Sequence, residues 1–137
     1  MGLFPGRRPD DLGVRGGRLK PVPTSPNAVS SQATKGDDHF IEPLTYRGRP
    51  DDAISALEGI VAALPRTRIV VRSEDYMHAE CASALLGFVD DLEFHAPAEG
   101  GVVHVRSASR LGHSDLGVNR RRVEDIRARL ARVLPPR

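Results

Sequence analysis

The chain has 137 residues, 39% of them hydrophobic and 28% charged, a balance that fits one globular domain and excludes a disordered polymer. Aromatic residues make up 4% with no Trp, which argues against a base-stacking nucleic-acid platform. The formal net charge of +2 is unevenly spread, at +4 over residues 1–35, −8 over 36–103 and +6 over 104–137, so basic ends are expected to fold back on an acidic middle.

Residues 1–36 are rich in Gly, Pro, Ser and Asp and show no apolar period, which predicts an irregular N-terminal segment ahead of a domain over 37–137. The first dozen residues read as mobile. Pro21, Pro23 and Pro26 bias their neighbours to extended conformations, so residues 21–32 read as a semi-rigid strap across the domain. Ser25, Asn27, Ser30, Ser31 and Gln32 supply it with small hydrogen-bonding side chains. Residues 39–46 suit a short edge strand, because Pro43 is tolerated only at an edge.

Pro50, Asp51 and Asp52 announce a helix whose apolar face is Ile54, Leu57, Ile60, Val61 and Leu64, with Pro65 as its stop. Strands are then expected over 67–73, 76–86, 88–96 and 102–109, joined by connections short enough for antiparallel neighbours. Alternation places Ile69 and Val71 inward, then Met77, Ala79, Cys81 and Leu85, then Phe88, Leu92 and Phe94, then Val103 and Val105. Arg68, Arg72, Tyr76, His78, Glu80, Val89, Asp91, Glu93, His95, His104 and Arg106 fall outward. Asp90 shares the inward parity and so requires a buried arginine or a bulge. A closing helix runs from Asn119, read as its N-cap, to about Val133, with Val123, Ile126 and Leu130 on its apolar stripe. The fold class is therefore α+β: an antiparallel meander of four to five strands, flanked by a helix before it and a helix after it, with an extended proline-rich strap.

The densest run of partner-seeking side chains is 104–122. Arg106, Arg110 and Arg120 or Arg121 are placed to converge beside Ser107, Ser109 and Ser114, with Asp115 and Asn119 at a helix start. That combination suits an anion, and Ser25, Asn27 and Ser31 of the strap would complete the site. Gly112 and Gly117 would let the backbone approach closely. The competing reading is that Asp115 pairs with an arginine and the serines satisfy the loop itself. His78, Glu80, Asp91, Glu93 and His104 on neighbouring strands form an alternative divalent-metal set. Ser107, Ser109 or Ser114 with His104 or His113 and Asp115 hold the residue types for nucleophilic catalysis, but no nucleophile elbow is present.

Three segments, residues 21–32 (PVPTSPNAVSSQ), 76–94 (YMHAECASALLGFVDDLEF) and 106–122 (RSASRLGHSDLGVNRRR), together resemble the domain of unknown function 1499 family over about residues 18–132. The resemblance implies kinship and no activity. The family's strap usually has cysteines where this chain has Val22 and Ala28, and Cys81 is the sole cysteine here, so a cysteine-based mechanism is not expected.

The sequence thus predicts a small soluble, cytoplasmic domain that binds an anionic small molecule or a protein partner without catalysis. The alternative is a hydrolase or metal-dependent enzyme working from the polar sheet face. No cofactor, membrane span or nucleic-acid partner is expected.

Overall fold

A computed structural model describes residues 7–83, 88–111 and 114–136. Eight elements follow in order: β1 (Ala28–Ser30), β2 (Leu44–Thr45), α1 (Pro50–Ala62), β3 (Thr67–Arg72), β4 (Tyr76–Ala82), β5 (Val89–His95), β6 (Val102–Ser109) and α2 (Val118–Val133). The strands form one antiparallel sheet in the order β1-β6-β5-β4-β3, and β2 also pairs with β6. The expected meander is β3 to β6. The strap supplies its further edge, with Ala28, Val29 and Ser30 opposite Ala108, Ser107 and Arg106. Of the strand expected over 39–46, only Leu44–Thr45 is formed, opposite Val102 and Val103, while Phe40 makes a single parallel bridge to Ser30.

Both helices lie on one face, α1 against β3 and β4, α2 against β6 and β1. Ile54, Leu57 and Val61 of α1 meet Met77, Ala79, Leu92, Phe94, Val103 and Val105 of the sheet and Val123, Ile126 and Leu130 of α2 in one core. Burial of such side chains contributes about 1.5–3 kcal/mol each. At the start of α1, Pro50 occupies the first turn and the Asp52 carboxylate accepts the Arg49 N–H at 2.8 Å.

Two inward assignments change, those of Val71 and Phe88. The register shifts between Ile69 and Val71, so a bulge reverses the parity of β3. Val71 is thereby turned out, 45% exposed, and Arg72 turns toward α1, where it bonds Asp51, Ser55 and Glu58. Phe88, expected inward, sits before β5 and is 41% exposed. Leu85 lies outside the described residues.

The second face of the sheet is polar as expected, yet it is not solvated. His78, Asp91, Glu93, His95 and Arg106 are all buried. Segment 7–32 covers it: Arg8 pairs with Glu80, the Gly13 N–H donates to Glu93, and the Pro21 carbonyl accepts from Arg106. The Asp90 requirement is met from the helix side, where Arg122 of α2 approaches its carboxylate at 2.8 Å.

Candidate functional site

The strap and the approach to α2 do meet, and Asn119 is the joint. Instead of capping α2 it lies within the first turn, fully buried. Its Oδ1 accepts from the Ser107 hydroxyl (2.6 Å) and Arg122 (2.7 Å), and its Nδ2 faces Asp115, Ser109 and the Asn27 carbonyl. The same Asn27 carbonyl accepts the Ser109 N–H at 3.0 Å, so one strap residue ties β6 and α2 together.

Capping falls to Asp115. One carboxylate oxygen accepts the Gly117 N–H at 2.8 Å and the other the Asn119 N–H at 3.1 Å. Burial opposes that charge, but the Asn119 side chain and the two backbone N–H groups outweigh it and hold the carboxyl below its ordinary range. The turn needs positive φ at Leu116 and Gly117; a Cβ at Gly117 would also meet Arg121 Nη1 at 3.0 Å. The positive end of α2 is therefore filled by the chain's own carboxylate. Among the described residues, the Ser114 hydroxyl bonds the Leu116 N–H, within the turn. Gly112 and His113 lie outside the described residues.

The arginines do not converge as expected. Arg106 and Arg110 lie on the strap-covered face, whereas Arg120 on α2 donates to the carbonyls of Asp38 and Phe40, and Arg121 to that of Leu116. The sheet lies between the two sets, because Arg106 and Arg110 have the parity opposite to Ser107, which faces α2.

On the strap-covered face three carboxylates organise the charges. Glu80 meets Arg8, Arg68 and Arg110, and Arg8 first among them drives its carboxyl far below the usual range. Asp91 accepts Arg110 through both oxygens at 2.8 Å and His78 Nε2 at 2.8 Å. Burial works against the Asp91 charge, but Arg110 and His78 outweigh it and keep the carboxyl low. Glu93 accepts the Tyr76 hydroxyl and the Gly13 N–H, and burial together with that carboxylate pushes the phenol well above its ordinary value.

Of the alternative metal set, His78, Glu80 and Asp91 have ligand atoms within 4.8 Å of one another. Their oxygens already face Arg8, Arg68 and Arg110, cations a metal would have to displace. Glu93 and His104 stand apart from the trio. The Ser31 hydroxyl accepts the Val105 N–H at 2.9 Å and lies within hydrogen-bond distance, 3.0 Å, of His104 Nδ1. That contact latches the strap to β6.

Arg106 is different. It is 4% exposed, and burial lowers its affinity for the proton. Among the described residues its guanidinium makes one hydrogen bond, to the Pro21 carbonyl at 3.3 Å, and Nε has no partner. Glu93 Oε1 is 3.7 Å from Nη1, an ion pair too long for a hydrogen bond, and is itself unpartnered. Arg106 borders a cleft of about 420 Å³ between the strap and the sheet, together with Lys20, Ser25, Asn27, Ser109 and Arg110. Five residues singled out in the sequence thus share one wall system: Ser25, Asn27, Arg106, Ser109 and Arg110. Lys20 was missed, since only the strap's path brings it there.

The architecture is that of an α+β domain whose sheet is packed on one face by two helices and closed on the other by its own leading segment. Residues 18–130 match the family described as "Protein of unknown function (DUF1499)", and the chain belongs to that family. A search of curated proteins gives no match. No helix among the described residues is long and apolar enough to cross a membrane.

Proposed function

We propose that this domain is a non-catalytic binding module whose strap-side cleft recognises an anionic group, a carboxylate or phosphate carried by a small molecule or a partner. The observation that carries the reading is the Arg106 guanidinium, buried against the cleft with one long hydrogen bond and an unpartnered Nε. Leaving a buried donor unsatisfied costs about 1–3 kcal/mol, which an acceptor from a ligand would recover. Lys20 and Arg110 line the same cleft but are paired with Asp11 and Asp91, so the charge that favours an anionic acceptor is that of Arg106. Its volume lies within the range of small-molecule sites.

Compared with the loop at the start of α2, the cleft is the better site because Asp115 consumes the helix N-terminus and Arg120 is held by carbonyls. Among the described residues the same arrangement disfavours catalysis: the histidine whose ring meets a serine hydroxyl, His104, serves a part-buried latch in which Ser31 Oγ is already an acceptor.

The test is calorimetric titration with inorganic phosphate and with acetate, beside native mass spectrometry of freshly purified protein. Saturable binding of either anion, weakened about tenfold in Arg106→Lys and unchanged in Arg120→Gln, supports the reading. Arg106→Lys keeps the charge opposite Glu93 while losing the planar fork. Absence of binding by both anions, or equal weakening in Arg120→Gln, overturns it.

A further inference from the structure

A second cleft, of about 470 Å³, opens at the end of β4 and β5, where segment 7–32 contributes only Arg8 to its lining. It is lined by Arg8, Arg66, Arg68, Glu80, Ala82, Val89 and Arg110. Its floor is set by the register: Ala82 stands opposite Val89, one step along the same face from Glu80 opposite Asp91. Two small apolar side chains thus end a row of carboxylates, and most of the cleft wall is apolar. Long arginine stems contribute such surface while their heads stay at the opening.

The charge here is unbalanced. Four guanidinium groups line the cleft with one carboxylate, Glu80, which Arg110 bridges to Asp91 beside it. Arg68 gives one N–H to Glu80, with its side chain 71% exposed. Arg66, held in the left-handed region at φ 54, gives Nε to the Ala82 carbonyl and meets no carboxylate among the described residues. Among the described residues, both arginines therefore keep terminal N–H groups uncommitted beside an apolar floor.

We propose that this cleft binds a small anionic amphiphile, its phosphate or carboxylate head held by Arg66 and Arg68 and its short acyl or alkyl tail lying over Ala82 and Val89. A bare inorganic ion would leave the apolar floor unused, and a neutral amphiphile would leave the surplus positive charge unanswered. This cleft is separate from the one bordered by Arg106, and the two readings stand or fall independently.

The experiment is calorimetric titration with octyl phosphate below its micellar concentration, compared with inorganic phosphate, octanol and vesicles of anionic lipid. Octyl phosphate binds at least about tenfold tighter than inorganic phosphate, since burial of two methylenes already gives about that factor, and about tenfold tighter than octanol, which lacks the charged head. Its affinity falls about tenfold in Arg66→Asn and in Arg68→Gln, and is unchanged in Arg106→Lys. Asparagine is chosen at position 66 because it tolerates positive φ. The proposal is overturned if octanol or inorganic phosphate binds as tightly, if only the vesicles bind, or if the loss follows Arg106 in place of Arg66 and Arg68. That last result would leave the strap-side reading standing.

Discussion

Replacing Asn119 by alanine tests the joint between strap, β6 and α2. The side chain is fully buried, and its removal deletes two bonds at Oδ1, from Ser107 and Arg122. It also deletes two bonds' worth of donation at Nδ2, whose two hydrogens are shared among Asp115, Ser109 and the Asn27 carbonyl. At about 1 kcal/mol per bond the loss is about 4 kcal/mol. Alanine's better helix propensity returns roughly 0.5 kcal/mol, so the expected net is roughly 3–3.5 kcal/mol. Ser107→Ala removes one side chain of the same network and should cost only about 1 kcal/mol. Asn119→Asp should be worse than alanine, because it sets a carboxylate where Nδ2 now stands 2.8 Å from Asp115 Oδ2. Urea unfolding followed by far-ultraviolet circular dichroism measures all three. A loss below about 1 kcal/mol for Asn119→Ala, or an aspartate milder than alanine, would refute the network as the joint.

Two other outcomes follow from the same geometry. Arg122→Met leaves Asp90 buried without its partner, and should destabilise by about 3–5 kcal/mol; Asp90→Leu/Arg122→Met together should recover most of that, and a double variant as unstable as the single one contradicts a buried ion pair. The histidines that secure the strap respond oppositely to pH. The two ring nitrogens of His39 face acceptors, the Ser25 carbonyl and the Asp37 carboxylate, and that backbone bond first of all raises its pKa; the stability it contributes is complete below about pH 6.5 and lost as pH rises through the raised value. Burial, then His95 and Arg18, lowers the pKa of His104, so its neutral form favours the fold above about pH 6.5 and stability falls as pH drops toward the lowered value. Thermal melts from pH 5.5 to 8 should therefore tilt toward higher pH in His39→Gln and toward lower pH in His104→Gln, relative to the parent, and parallel curves for all three proteins would contradict the assignment.

The parts of the fold that repeat were legible, and the parts that depend on long-range contact were not. Periods of 3.6 and 2 located α1, α2 and β3 to β6, because each buries one continuous face. Asp90 was legible as a buried carboxylate needing an arginine, but Arg122 could not be chosen from among the arginines near the start of α2. The bulge in β3 left no mark in TRIVVR, whose alternation continues through it, so Val71 and Arg72 were assigned to each other's faces. Asn119 looked like a cap because asparagine commonly is one; the cap is Asp115, reached through a left-handed Leu116–Gly117 pair that sequence does not announce. The burial of the polar sheet face was equally hidden, since segment 7–32 has no periodicity from which its path could be read. Uneven charge was the one clue, and the Arg8–Glu80 pair is an instance of it.

The most direct test of the strap-side cleft is to watch Arg106 itself. In a heteronuclear correlation spectrum of the arginine Nε–Hε groups, addition of phosphate or acetate should shift the Arg106 cross-peak saturably, while the Arg120 peak stays in place. An Arg106 peak that holds its position to tens of millimolar anion, or one that moves no more than that of Arg120, would contradict the account.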